Sequence, residues 1–279
     1  MITSAIKGSV ELLKVLKQAL SPVYDTREAE SISVLVIEYF FEMSKTQILM
    51  DAPFVELEDE LLDNLNECVT RLLKSEPIQH ILGETEFYGL PFYVNPDVLI
   101  PRSETEELVD WILKDNEGIE NLRLLDLGTG SGCIPIAIKK AKKNADIGAI
   151  ELSHNALDVA KDNADLNEVK IYWIQDNILD FGYNVDKAFD VMVSNPPYIT
   201  LSEKGEMNKN VLDFDPDLAL FVNNEDPLLF YKCIADYANL YLKVEGALYF
   251  EINENFGKEM VAMLEEKNFK GITLRQDLN

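Results

Sequence analysis

The run Phe189-Asp190-Val191-Met192-Val193 leads straight into Ser194-Asn195-Pro196-Pro197-Tyr198. Short Val-rich runs of this kind mark a parallel strand buried on both faces. The tetrapeptide Asn195 to Tyr198 is therefore expected at the carboxyl edge of a sheet, where open α/β sheets bind their ligands.

Its chemistry suits capture of a planar nitrogen nucleophile. An amide or aryl amine delocalises its lone pair and attacks poorly, so a catalyst must hold both N–H bonds and aim the lone pair. Asn195 offers an uncharged carbonyl acceptor. Pro196 and Pro197 stiffen the backbone and lack N–H donors, so the Pro196 carbonyl can be presented as a second acceptor. Tyr198 supplies a flat ring to lie against a planar group. The plainer alternative is a Pro-Pro loop with a structural asparagine.

Around this strand, from residue 121 onward, strands and helices alternate. Strands are expected over 122–127, 146–151, 170–174, 189–194, 247–252 and 271–274. Helices are expected over 134–143, 154–164, 226–242 and 257–267, with Asp226-Pro227 capping and starting the third. Such alternation implies a mainly parallel, doubly wound sheet.

The turn after the first of these strands reads Asp126-Leu127-Gly128-Thr129-Gly130-Ser131-Gly132. Glycines here let the backbone approach a ligand, and the following helix offers its unpaired N–H groups. The spacing is neither the G-x-G-x-x-G of dinucleotide binders nor a Gly-Lys-Ser/Thr phosphate loop. Glu151 ends the second strand, where an acidic side chain can accept both hydroxyls of a ribose. Asp176-Asn177, after the third, can flank an adenine. A ribose, an adenine and a carboxylate without phosphate-binding residues describe S-adenosylmethionine.

Residues 1–82 read differently, as helices. Ile6, Val10, Leu13, Leu16 and Leu20 recur at helical steps, as do Ala29, Ile32, Leu35, Val36, Tyr39 and Phe40. Asp25 or Thr26 can cap the second helix, Ser44 a short third, and residues 58–74 form a fourth. Pro77 opens a last turn that Gly83 closes. Then the period shortens: Glu86-Phe87-Tyr88 and Pro91-Phe92-Tyr93-Val94 flank Gly89-Leu90 as a linking β-hairpin. Beyond it, Ser103 and Glu106 have the spacing of a capping box for a helix through Leu113. Arg102, in the loop before that helix, is a candidate substrate-binding residue beside the expected pocket. The chain thus divides into a helical module (1–82), a hairpin with a lead-in helix (83–120) and a cofactor-binding sheet domain (121–279).

Composition narrows the partners. Fifty acidic residues against 25 basic give a formal net charge of −25. Phosphate backbones are bound through Lys and Arg, so this balance disfavours a nucleic-acid substrate, although acidity also serves solubility or a saline habitat. Three lone cysteines and two histidines assemble neither a disulfide framework nor a metal site. No 18-residue uncharged apolar run and no leader pattern are evident, so a cytoplasmic protein without a membrane span is expected.

These motifs together resemble the release-factor glutamine methyltransferases of the HemK/PrmC type. The resemblance spans the helical module, Gly83 through Phe92, Ile100-Pro101-Arg102 with Glu104-Thr105-Glu106, the glycine loop, Asn195 to Tyr198, and Val211 through Leu220. It implies a Rossmann-like methyltransferase sheet that uses S-adenosylmethionine and takes a peptide chain release factor as its protein substrate. The methyl acceptor would be the amide of the glutamine in a Gly-Gly-Gln tip. Cofactor contact is implied at Gly128 to Gly132, Glu151, Asp176, Asn177 and Asn195, and substrate contact at Asn195 to Tyr198. Ser103 stands where the family usually has proline. Relatives also run on into a final strand, so either the sequence is truncated or its sheet lacks that strand. Other readings stay open: a ribosomal-protein glutamine or an exocyclic amino group of a base as acceptor, or an inactive binding module of the same fold.

Overall fold

The helical periodicity of the first eighty residues becomes α1 (Ser9–Leu20), α2 (Thr26–Phe41), α3 (Lys45–Leu49), α4 (Asp59–Leu72) and α5 (Ile78–Leu82). The computed structural model describes all residues except 1, 5, 54–57, 181–187, 201, 207–211, 213, 278 and 279. Residues 1–83 with 208–214 form one compact unit, and 84–207 with 215–279 a second.

In the first unit, helix ends follow from local chemistry. Asp25 caps α2 by accepting from the N–H groups of Arg27 at 2.8 Å and Glu28 at 2.9 Å. Ser44 and Gln47 close a reciprocal capping box on α3. Gly83 ends α5 in the left-handed region. The core is built from Leu12, Leu16, Leu20, Val36, Ile37, Ile48, Leu65 and Leu72. Val10, Leu35 and Tyr39, expected on the buried stripes, are exposed, because Leu12 and Ile37 occupy those faces instead.

The second unit opens with the hairpin of β1 (Glu84–Phe87) and β2 (Leu90–Tyr93). Tyr88 and Gly89 both have positive φ, 53° and 70°, which lets a two-residue turn follow the twist of its strands. Phe87 and Phe92 meet edge to face and are buried with Leu108, Val109 and Ile112 of α6 (Ser103–Asp115). The capping box expected at the start of α6 does not form. Arg102 occupies the cap position without a side-chain bond, and Glu106 Oε1 accepts from the Tyr88 N–H at 2.6 Å. A donor in the hairpin turn has taken the carboxylate.

Five parallel strands follow: β3 (Arg123–Leu127), β4 (Asp146–Glu151), β5 (Tyr172–Gln175), β6 (Phe189–Ser194) and β9 (Leu242–Phe250), in the order β5-β4-β3-β6-β9. Alternate side chains serve opposite faces. Leu124, Ile147 and Val191 pack with α6 and α7 (Cys133–Ala141), whereas Leu125, Ile150 and Met192 pack with α10 (Leu229–Tyr241). Helix α8 (His154–Leu166) covers the hairpin side and α11 (Gly257–Glu266) packs against α10. A short parallel pair, β7 (Ile199–Thr200) with β8 (Phe221–Val222), and the one-turn helix α9 (Asp217–Leu220) lie between β6 and α10. The doubly wound parallel sheet read from the alternation is present.

Two expectations fail here. Helix α10 starts at Leu229 without a side-chain cap, because Asp226 instead pairs with Lys232 at 2.7 Å. Residues 271–274 form no strand: Gly271 turns with φ 66°, and Leu274 lies against Gly257, mostly exposed. The left-handed backbone at Gly271 takes the start of the run out of the extended conformation that strand pairing needs. The segment Val211 through Leu220 lies partly outside the described residues, since 211 and 213 are among those left out.

Candidate active site

The strand order reverses at β3: β4 and β5 lie to one side, and β6 and β9 to the other. The loops leaving β3 and β6 therefore diverge and open a crevice at their carboxyl ends. There the structure has a cavity of about 330 Å³, within the size range of small-molecule sites.

The glycine loop forms its floor. Gly128 and Thr129 donate their N–H groups to the Ile150 carbonyl, and Gly130 donates to Glu151 Oε2 at 2.9 Å. Gly128 and Gly130 have positive φ and nothing within 4 Å of where a Cβ would stand. Their emptiness faces the cavity. Gly132 is different: a Cβ there would meet Ile136, Ala160 and Trp173 at 3.0–3.3 Å, so it serves helix packing rather than the cavity.

Glu151 is nearly buried at the end of β4 and lines the cavity. Its second oxygen, Oε1, accepts from the Ser153 N–H at 2.9 Å. Asp176 and Asn177 follow β5 and line the same wall, with Asn177 Oδ1 held by the Leu179 N–H at 2.9 Å. Asp126, fully buried beneath the loop, has its carboxyl pushed up to about 7 by burial, with Glu151 adding to the rise. The Thr129 hydroxyl and Leu127 N–H oppose that shift.

Asn195 and Pro197 reach the cavity from the end of β6, and Arg102, Thr105 and Ser131 line it too. Pro196 is buried behind them and, like Tyr198, is not part of the lining. The Tyr198 ring packs among Tyr231, Met260 and Phe250, and its hydroxyl donates to Glu251 Oε1 at 3.4 Å. Burial raises the Tyr198 pKa, helped by Glu251. Arg102 reaches Asp215 Oδ2 at 2.9 Å, which leaves its guanidinium engaged within the chain.

Four polar residues outside the sequence-based set belong to this region. Thr105 donates to Glu251 Oε2 at 2.6 Å and accepts from Asn195 Nδ2 at 3.3 Å. Glu251 follows β9 at the same edge as Asn195, so the strand-end rule that singled out Glu151 applied equally to it. Asp215 is buried opposite Arg102. Asn163 of α8 links both backbone groups of Tyr93 to the Ser131 carbonyl, tying hairpin to glycine loop.

Among the described residues no group of three or more His, Cys, Asp or Glu side chains could hold a metal ion, and no helix is long and apolar enough to cross a membrane.

Residues 11–83 match the family model described as PrmC N-terminal domain, and residues 105–213 the one described as Methyltransferase small domain. A release factor glutamine methyltransferase of Flavobacterium psychrophilum is 47% identical over 94% of this chain and 92% of its own length. The protein of the same name from Bacteroides thetaiotaomicron is 38% identical over 94% of both chains. That of Lactococcus lactis is 41% identical over 80% of this chain and 81% of its own. With relatives at this identity covering most of both chains, the chain belongs to the release factor glutamine methyltransferase family.

Proposed function

We propose that the chain transfers a methyl group from S-adenosylmethionine to the side-chain amide nitrogen of a glutamine in a peptide chain release factor, the glutamine of its Gly-Gly-Gln tip. The observation that carries this reading is that Glu151 and Asn195 line one cavity from two different strand ends. One suits a ribose and the other a planar amide.

The residues present fit the cofactor. Gly128 and Gly130 leave space where side chains would stand, and Thr129 lines the cavity beside them. Each Glu151 oxygen accepts one backbone N–H and keeps a lone pair for a ribose hydroxyl. Asp176 and Asn177 flank the base, with Ile178 and Leu179 as apolar wall. When bound, S-adenosylmethionine supplies an electrophilic methyl group on a sulfonium.

The chain's own work is orientation. Asn195 Oδ1 accepts one N–H bond of the substrate amide from the cavity wall, and the carbonyl of Pro196, a residue behind that wall, is assigned the other, an arrangement that favours a nitrogen whose lone pair is drawn out of conjugation. Pro197 walls the amide at the cavity. Tyr198 acts from behind, holding the loop through its packed ring and its bond to Glu251. Arg102 contributes to the substrate mouth while it restrains Asp215. Holding reactants in an attack geometry of this kind is worth several kcal/mol of barrier.

Residues 1–82 are assigned to gripping the folded substrate, 83–120 to linking, and 121–279 to holding cofactor. A tripeptide tip offers far less contact area than a specific protein complex needs, so a separate recognition surface is required. The net charge of −25 opposes a nucleic-acid substrate.

The test is incubation of the full chain with methyl-labelled S-adenosylmethionine and an unmodified release factor, followed by peptide mapping. Label on the tip glutamine is expected. Label elsewhere, or on ribosomal protein but not on release factor, overturns the assignment.

A further inference from the structure

The Asn195 amide sits at the end of a chain of donors and acceptors that begins outside the cavity. Glu251 lies beside Ser194 across the β6/β9 pair and donates its N–H to the Ser194 carbonyl at 3.1 Å. Its carboxylate accepts from Thr105 at 2.6 Å and from Tyr198 at 3.4 Å, and the neighbouring Asn195 amide also stabilises its charge, so that the acid draws the N–H end of that amide both directly and through Thr105. Thr105 has one proton to give, and it goes to Glu251. The Thr105 oxygen can therefore offer Asn195 only lone pairs, and Asn195 Nδ2 donates to it at 3.3 Å.

We propose that Glu251, acting directly and through Thr105, is a positioning residue that decides which end of the Asn195 amide faces the cavity, a proposal that rests on Asn195 being the residue that captures the substrate amide. An asparagine amide is nearly symmetric in shape, so packing alone does not choose between its two orientations. Hydrogen bonding does. With Nδ2 committed to Thr105, Oδ1 is the end left for a substrate that brings two N–H donors. Turned over, Oδ1 would oppose the lone pairs of Thr105 and an N–H would oppose the substrate's own donors.

Glu251→Gln removes the constraint while keeping the size of the side chain. Its amide nitrogen can donate to Thr105, which frees the Thr105 proton to point at Asn195, and both orientations become acceptable. The expected result is a kcat for release-factor methylation lower by roughly 10²-fold, the scale of a misplaced reacting group. The KM for release factor and the calorimetric Kd for S-adenosylmethionine should stay unchanged. In the otherwise native chain, Thr105→Ser, which keeps the hydroxyl, should keep near-native kcat, whereas Thr105→Val should lower it as Glu251→Gln does.

A second measurement is independent of turnover. In ¹H–¹⁵N spectra the Asn195 side-chain pair, assigned by its loss in Asn195→Ala, should contain one slowly exchanging proton in the native chain and in Thr105→Ser. That protection should vanish in Thr105→Val and Glu251→Gln. An unchanged Asn195 signal together with native kcat in Glu251→Gln overturns the proposal. Should the native chain methylate no release factor, the functional assignment fails by itself, and the amide spectra alone decide the orientation.

Discussion

Arg102 Nη2 meets Asp215 Oδ2 at 2.9 Å, pairing a half-exposed guanidinium with a carboxylate that is only 1% exposed. The asymmetry sets the energetics. Burial raises the Asp215 pKa, and Arg102 is the group that pulls it back down.

Arg102→Gln is accordingly expected to leave a buried carboxylate without its cation, destabilising the fold by about 1–3 kcal/mol in urea titration. The double variant Arg102→Gln with Asp215→Asn should recover part of that loss, because no charge is then stranded. Additive losses in the two single variants would mean the pair is not energetically coupled.

Asp126 predicts a pH dependence. Its carboxyl is pushed from an ordinary value near 3.8 to about 7 by burial, so the folded state holds a proton that the unfolded chain releases. For a raised pKa, the stability contribution is complete below the unfolded value and is lost as pH climbs through the folded one. The contribution of Asp126 to the thermal midpoint should therefore fall between about pH 4 and pH 7, so the difference between the native chain and Asp126→Asn should change with pH across that window. Parallel curves for the two proteins would show that Asp126 titrates like an exposed carboxylate.

Glu151→Ala tests the ribose assignment. Loss of charge-assisted hydrogen bonds is expected to weaken S-adenosylmethionine by roughly 1.5–3 kcal/mol in calorimetry. The same change also frees the Gly130 N–H, which now donates to Glu151. Glu151→Gln keeps one carbonyl acceptor, so a smaller loss is expected there. An unaltered Kd in both variants would move the ribose away from the end of β4.

Strands 146–151 and 189–194 were legible to the residue because each is an apolar run bounded by polar residues and carries enough side chains to bury both faces. The cavity followed from the same reading, since strand order and the glycine loop together locate a crevice. What escaped was polar pairing at long range. Ser44 with Gln47 and Ser103 with Glu106 have the same spacing, yet only the first forms a capping box, because the Tyr88 N–H, 18 residues from Glu106, competes for its carboxylate. Thr105 and Glu251 are separated by 146 positions and Arg102 and Asp215 by 113, and no local pattern announces such partners.

Asn195 bears the mechanism. Methyl transfer from a sulfonium is an in-line displacement, so rate depends on holding the amide nitrogen about 3–3.5 Å from the methyl carbon with its lone pair aligned. A neutral acceptor suffices, because an alkylated amide nitrogen sheds its proton readily and needs no prior deprotonation. Asn195→Ala removes the acceptor, and turnover should fall at least roughly 10²-fold, the scale of a lost transition-state contact, with cofactor affinity retained. Asn195→Asp keeps an acceptor but has no N–H for Thr105, whose own proton goes to Glu251. It should therefore hold S-adenosylmethionine while misorienting the amide, and methylate slowly. Because Asn195 lies beside Glu251, the added carboxylate also raises the cost of keeping that buried acid ionised. The Asn195→Asp variant should gain activity as pH falls and one of the two carboxyls takes up a proton. Near-native turnover by Asn195→Ala, with normal cofactor binding, would remove this side chain from the chemistry and leave the backbone carbonyl of Pro196 to capture the amide alone.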